Sequence, residues 1–326
     1  MSSDHPGMVS LKSFLLGTGL IWVELLLPTK AGSFTDSIVF GFMGVVAIAA
    51  YSLTRRPCDI RPARVTHYQI QSRAFFLGWG LSCGFRCVTS GYSVPFGFYI
   101  SLLSLFHYSE FLVTSVISPD TLSLDSFLLN HSKEYGIAAL ASVVEFVVEL
   151  YFVPSLKNLR WVTFTGIGMC LLGEVLRKWA MLTASRNFTH LVRDTKEDGQ
   201  YLVTSGPYST FRHPGYAGWF WWSVGTQLVQ VNPFCAIAYC LAVYKFFKSR
   251  IYYEEICLIS FFGLDYIEYQ KKVPSTGVPF VRGYIPVSKA LEQPLLRNEE
   301  EEEEEEDSSS TDDNFQKVEC DQLEDD

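Results

Sequence analysis

Long apolar runs interrupted by short polar turns dominate the chain up to about residue 247. At 1.5 Å rise per residue, roughly 17–25 mainly apolar residues cross a hydrocarbon core as a helix. The pattern predicts eight such segments: 11–27, 37–53, 74–90, 95–117, 135–153, 161–184, 215–231 and 234–247. Most stop at helix breakers, among them Pro28, Pro57, Pro119 and Pro154. The last two segments are short and joined at Asn232-Pro233, which predicts a helical hairpin. The final helix is expected to continue into polar surroundings over 245–255. After it, 261–269 reads as an amphipathic segment on the membrane interface, and 274–286 as an irregular closure.

Basic residues orient these segments. Over alternate loops one side collects Arg55, Arg56, Arg61, Arg64, Arg73, Lys133, Arg177, Lys178, Arg186, Arg193 and the later basic residues through Arg282. The other side receives only Lys30, Lys157 and Arg160. This asymmetry places both termini in the cytosol. The first span is expected to act as the targeting signal, because no basic stretch precedes it and no small-residue cleavage site follows. The sequons at Asn130 and Asn187 fall in expected cytosolic loops, where they stay unglycosylated. The fold class expected is an all-α polytopic membrane protein of about eight transmembrane helices, with a cytosol-facing catalytic region formed by the C-terminal third.

Charge divides the chain further. The 326 residues carry a net charge of −9, yet residues 293–326 hold 16 acidic side chains against Arg297 and Lys317. That tail alone carries −14 and leaves +5 on the rest. With Phe315 as its only aromatic residue, it cannot bury enough apolar surface to offset the entropy of ordering, which predicts disorder. The expected organisation is therefore an N-terminal region 1–134 of four transmembrane helices and a loop, a catalytic transmembrane region 135–292, and the acidic tail 293–326. No basic patch interleaved with aromatics stands clear of the apolar runs, which argues against a nucleic-acid partner. The eight cysteines lack C-x-x-C spacing and indicate neither a metal site nor a disulfide framework.

Polar density within the apolar body peaks between residues 185 and 284, where the chemistry is expected. Tyr201-Leu202-Val203 reads as a short extended piece running into the turn Gly206-Pro207-Tyr208. Arg212-His213-Pro214-Gly215-Tyr216 then opens a helix, with Pro214 suited to its first position. Free backbone donors there, beside Arg212 and His213, could receive an anion; a plain membrane anchor is the equal alternative. Arg250 and Glu254 lie four apart and share a helix face one turn beyond a span, where they can address one cavity. Glu145, Glu149 and Glu174 inside spans require partners, and ties to Arg86 or Arg177 are expected.

The series Leu202-Val203-x-x-Gly206-Pro207-Tyr208, Arg212-His213-Pro214-x-Tyr216, Arg250-x-x-x-Glu254-Glu255, Phe262-Gly263-x-x-Tyr266-x-x-Tyr269 and Val273-Pro274 resembles the isoprenylcysteine carboxyl methyltransferases. The resemblance covers about residues 185–286. It implies an endoplasmic reticulum membrane enzyme whose active site faces the cytosol. That enzyme would transfer a methyl group from S-adenosylmethionine to the α-carboxylate of a C-terminal prenylcysteine, leaving S-adenosylhomocysteine. The acceptors implied are farnesylated or geranylgeranylated CaaX proteins such as small GTPases, presented in membrane lipid. Carried over residue by residue, the cofactor contacts are Arg193, Gln200, Tyr201, Leu202, Val203, Tyr208, His213, Pro214, Gly215, Tyr216 and Glu254. Arg250 faces the substrate, and Arg250 with Glu254 forms the catalytic pair. Related Arg-His-Pro-x-Tyr sequences occur in phospholipid amine methyltransferases and in NADPH-dependent sterol reductases, which stand as the alternatives.

Overall fold

The computed structural model describes residues 5–26, 67–91, 93–129 and 133–286. The expected span at 37–53 and the acidic tail lie outside the described residues. Two units divide the chain, Met1–Gly283 and Tyr284–Asp326; in the second, residues 284–286 are described and irregular. The first unit contains α1 (Pro6–Leu26), α2 (His67–Thr89), α3 (Val94–Ile117), α4 (Lys133–Phe152), α5 (Arg160–Ala184), α6 (Pro214–Gln230) and α7 (Pro233–Lys272). Short 3-10 turns accompany them, and no strand occurs among the described residues.

Local chemistry sets these boundaries. Ser93 caps α3 by accepting the Phe96 N–H, and proline opens α3, α6 and α7, where a missing N–H costs no helical bond. Continuity of α7 is interrupted at Gly263, whose φ of 52° and ψ of −126° are not helical. Segment 261–269 is two-faced, with its inner face buried in protein and Leu264 exposed. Tyr266 and Tyr269 pack with Leu202, Leu258 and Phe262.

Two cores organise the bundle. One joins α1, α2 and α3 through Val9, Phe14, Ile70 and Phe111. The other gathers α3, α5, α6 and α7 around Phe106, Cys170, Trp219, Trp222, Phe247 and Ile251. Close approach of α5 to α6 depends on glycine: a Cβ on Gly218 would lie 2.5 Å from the Gly173 carbonyl oxygen. Small residues at such crossings let backbones touch where lipid provides no hydrophobic drive to associate.

The outside of α4 and α5 is apolar. Ile137, Leu140, Val147, Tyr151 and Phe152 of α4 are exposed, as are Trp161, Leu172 and Val175 of α5. In the most apolar stretch of α4, mean hydropathy 1.6, only 11% of residues are buried. A continuous apolar band of this kind suits hydrocarbon and not water.

The α6–α7 turn is tied by charge. Lys157 Nζ donates to Glu149 Oε2 at 2.6 Å, to the Gln230 and Val231 carbonyls at 3.0 Å, and to Asn232 Oδ1 at 2.8 Å. The ammonium thereby satisfies carbonyls left over at the end of α6. Glu145 accepts the Phe234 and Cys235 N–H groups at 2.8 and 2.6 Å, where the start of α7 presents free donors. These contacts replace the expected ties of Glu145 and Glu149 to Arg86 or Arg177. Arg177 reaches Gly215 at the opposite end of α6, about 22 Å from Gln230 at 1.5 Å per residue.

Candidate active site

Five elements, some of them consecutive in the chain, surround one open cleft. They are the end of α5, the loop after it, the Arg-His-Pro turn, the start of α6 and the middle of α7. Gln200, Tyr201, Leu202, Val203, Tyr208, His213, Gly215, Tyr216 and Glu254 all line it. So do Asn187, Phe188, Leu258, Phe262, Tyr266 and Tyr269, which the sequence reading did not assign to the site. Arg193, Pro214 and Arg250 stand outside the lining. Arg193 pairs with Glu197 at 2.9 Å, and Pro214 is the buried first residue of α6.

The loop after α5 is held by specific contacts. Asn187 donates to the Ala184 carbonyl and accepts the Tyr201 N–H at 3.2 Å, so the sequon asparagine shapes the cleft wall. On the other side Tyr253 O–H donates to Asp194 at 2.6 Å, and Lys196 donates to the Phe261 carbonyl while sitting over the Phe262 ring. The hydrogen bond to Asp194 pushes the Tyr253 phenol up to about 12. Tyr208 is shifted upward as well, by burial first and the nearby Glu254 charge second.

Arg212 lines the cleft and is held by bonds to the protein. Its Nε donates to Glu255 Oε1 at 2.7 Å, Nη1 to the Val273 and Pro274 carbonyls at 2.8 and 2.7 Å, and Nη2 to the Arg282 carbonyl at 2.7 Å. Backbone bonds from Arg212 and His213 to Ser275 and Thr276 complete the clasp. Arg212 thereby staples the closing segment, while the helix start at Arg212, His213 and Gly215 lines the cleft. Glu255 also meets His213 Nε2 at 3.1 Å and accepts the Tyr266 hydroxyl at 3.3 Å. Burial by itself raises the Glu255 carboxyl, but His213 and Arg212 outweigh it and hold the group below its usual value. Gly283 closes over this carboxylate with φ of 79°, and a Cβ there would fall 1.9 Å from Glu255 Oε2.

Arg250 and Glu254 meet through a third residue. The Tyr216 hydroxyl donates to Glu254 Oε2 and accepts from Arg250 Nε at 2.8 Å. Arg250 Nη2 donates to the His190 carbonyl at 2.5 Å. A guanidinium has five N–H donors; those on Nη1 take no bond within the described residues. Glu254 Oε1 likewise receives none. The Tyr216 ring stacks on His213 at 5.6 Å and on Phe247 at 5.0 Å.

Behind that stack lies a second, apolar cavity, lined by Tyr99, Leu103, Tyr135, Ala138, Ala139, Trp219, Trp222, Tyr239, Val243, Phe246 and Phe247 among others. Tyr216 faces the polar cleft and its stacking partner Phe247 the apolar cavity. Arg250 lies over the Tyr216 and Phe246 rings at 5.4 and 5.9 Å, at the junction of the two.

Residues 166–260 match the model of the isoprenylcysteine carboxyl methyltransferase family. Protein-S-isoprenylcysteine O-methyltransferase of Xenopus laevis is 48% identical over 281 residues, 86% of this chain and 96% of the relative. Its counterpart in Homo sapiens is 48% identical over 276 residues, 84% and 93% of the two chains. The solved structure of a eukaryotic intramembrane Ras methyltransferase, an isoprenylcysteine carboxyl methyltransferase, superposes with a TM-score of 0.78 and 42% identity, covering 86% of this chain and 99% of that one. Agreement over nearly the whole length of these relatives places the chain, a membrane protein and a methyltransferase, in the isoprenylcysteine carboxyl methyltransferase family.

Proposed function

We propose that the polar cleft holds S-adenosylmethionine, that the apolar cavity takes the prenyl chain of a C-terminal prenylcysteine, and that Arg250 holds the acceptor carboxylate between them. The observation that carries this reading is the shared wall, with Tyr216 on the cleft side, Phe247 on the cavity side and Arg250 where they meet. When bound, S-adenosylmethionine supplies a methyl group on a positively charged sulfur, open to attack by an oxyanion.

The lining suits that molecule. Phe188, Phe262, Tyr208 and Tyr266 offer aromatic faces, residues 200–203 offer backbone groups, and Glu254 offers a carboxylate oxygen to a cationic end. An α-carboxylate with a pKa near 3.5 is already ionised at neutral pH, so no residue has to remove a proton. Arg250 is fixed by Tyr216 and the His190 carbonyl, which leaves Nη1 to receive the carboxylate. Its work is alignment, and the aromatic wall keeps water from the junction. A guanidinium offers only donors, so it suits an acceptor carboxylate better than the amine of the rival phospholipid reading.

Burying a 15- or 20-carbon chain at about 0.8 kcal/mol per CH₂ accounts for an apolar cavity bordering the membrane. Ala138 and Ala139 of α4 and Ala242 of α7 line this cavity with small side chains, which leave room for the chain. In this reading the protein crosses the endoplasmic reticulum membrane about eight times, with both termini and the cleft in the cytosol and CaaX-processed proteins such as small GTPases as acceptors. The test is incubation of the detergent-purified protein with methyl-labelled S-adenosylmethionine and N-acetyl-farnesylcysteine. Label recovered as a base-labile methyl ester is expected. Label in a phospholipid headgroup, or none in either acceptor, would overturn the reading.

A further inference from the structure

A buried carboxylate outside the cleft is connected through one loop residue to the arginine assigned to the acceptor. Glu110 of α3 is 0% exposed and Arg177 of α5 is 1% exposed. Arg177 donates to Glu110 from Nε at 2.5 Å and from Nη2 at 2.8 Å, a bidentate pair that by itself would tie α3 to α5. Two further donors converge on the same carboxylate. Lys178 donates to Oε1, and His190 Nε2 reaches Oε2 at 2.9 Å. Lys178 also belongs to Glu174, at 3.3 Å, and Glu174 accepts from Ser109 at 2.6 Å, so the second carboxylate is engaged as well.

His190 does not belong to either helix. It lies in the loop that forms the cleft wall, next to Phe188, whose ring meets that of His190 at 5.6 Å and lies under the Arg177 guanidinium at 5.7 Å. Its ring is anchored to α3 through Glu110 while its own carbonyl accepts Arg250 Nη2 from α7. Arg177 Nη1 donates to the Gly215 carbonyl at 3.0 Å, which fixes the start of α6 beside the cleft from the same cluster. The chain of contacts therefore runs from a dry carboxylate, through one loop residue, to the guanidinium at the junction. Without the His190 carbonyl, Arg250 retains only its Nε bond to Tyr216 and can turn about it.

We propose that Glu110 and His190 are positioning residues for methyl transfer: Glu110 anchors the His190 ring so that the His190 carbonyl aims the Arg250 guanidinium at the acceptor carboxylate. The proposal rests on the assignment of Arg250 given above. Because neither Glu110 nor His190 lines the cleft, their loss is predicted to act on the prenylcysteine and not on the cofactor.

The full-length purified protein tests it through steady-state kinetics with N-acetyl-farnesylcysteine and calorimetric binding of S-adenosylhomocysteine. His190→Ala is expected to raise KM for the prenylcysteine and lower kcat, together reducing kcat/KM about tenfold or more, with S-adenosylhomocysteine affinity within about threefold of the parent. His190→Gln keeps a side-chain N–H able to reach Glu110 and is expected to recover most of the loss. Glu110→Gln is expected to repeat the acceptor-selective defect. If it does not fold, the His190 pair decides. Unchanged kinetics in His190→Ala, equal loss in His190→Gln, or a parallel loss of S-adenosylhomocysteine binding would overturn the proposal. Failure of the parent protein to methylate the prenylcysteine would instead overturn the functional assignment beneath it.

Discussion

Two arginines with similar sequence settings have opposite fates. Arg212 and Arg250 each adjoin a span and an aromatic cluster, yet Arg212 spends its guanidinium on Glu255 and three carbonyls while Arg250 keeps Nη1 clear of described partners. Only the fold distinguishes them, because the acceptors of Arg212 lie 43 to 70 residues away. Arg250→Ala is expected to reduce kcat/KM for prenylcysteine about a hundredfold, equivalent to roughly 3 kcal/mol of charge-assisted hydrogen bonding, without loss of folded protein. A melting curve matching the parent makes the kinetic comparison valid. Glu255 belongs to stability. Its carboxyl is depressed by His213 and Arg212, so its contribution is complete above the ordinary value of about 4.3 and is lost as pH falls below that toward the folded value. Glu255→Gln is expected to lower stability by about 3 kcal/mol near neutrality and to flatten the acid limb of Tm against pH. An unchanged acid limb would mean that another carboxyl governs it.

At the level of elements, apolar runs and prolines located the helices, and seven described helices stand where runs were expected. Periodicity could not tell which helices touch. The α5–α6 contact rests on Gly173 facing Gly218, and glycines at other positions of the same helices, such as Gly168, have open space around them. Nothing in the sequence separates these two kinds of glycine. Gly218→Val is expected to cost about 2–3 kcal/mol by forcing the helices apart, read as a lower Tm in detergent, whereas Gly168→Ala is expected to leave Tm near the parent value. The carboxylates of α4 teach the same lesson. Four-residue spacing correctly put Glu145 and Glu149 near one another, but their partners, two backbone N–H groups and Lys157, depend on how the α6–α7 turn docks.

For the whole molecule, the division of charge suggests that the tail is separable from catalysis. Truncation after Glu292 is expected to keep kcat/KM within about twofold, since an acidic segment with one aromatic residue has little to bury against the body. A large loss in the same assay would assign the tail a working role. Cavity geometry leads to a second expectation: Ala139→Trp, which fills the apolar side, is expected to raise KM for the prenylcysteine while S-adenosylhomocysteine binding persists. The sequence by itself pointed to a helical membrane chain, its charge asymmetry, its acidic tail and the motif between Gln200 and Tyr216, part of which lines the cleft. These are local properties, carried by hydrophobic run length, by proline and by motif. The tertiary structure alone decided that a polar cleft and an apolar cavity share the Tyr216–Phe247 wall, that Arg250 sits at their junction, and that Glu110, 80 residues from His190, lies behind it. Those facts depend on which distant side chains can neutralise each other once water is excluded, and no stretch of sequence contains both partners.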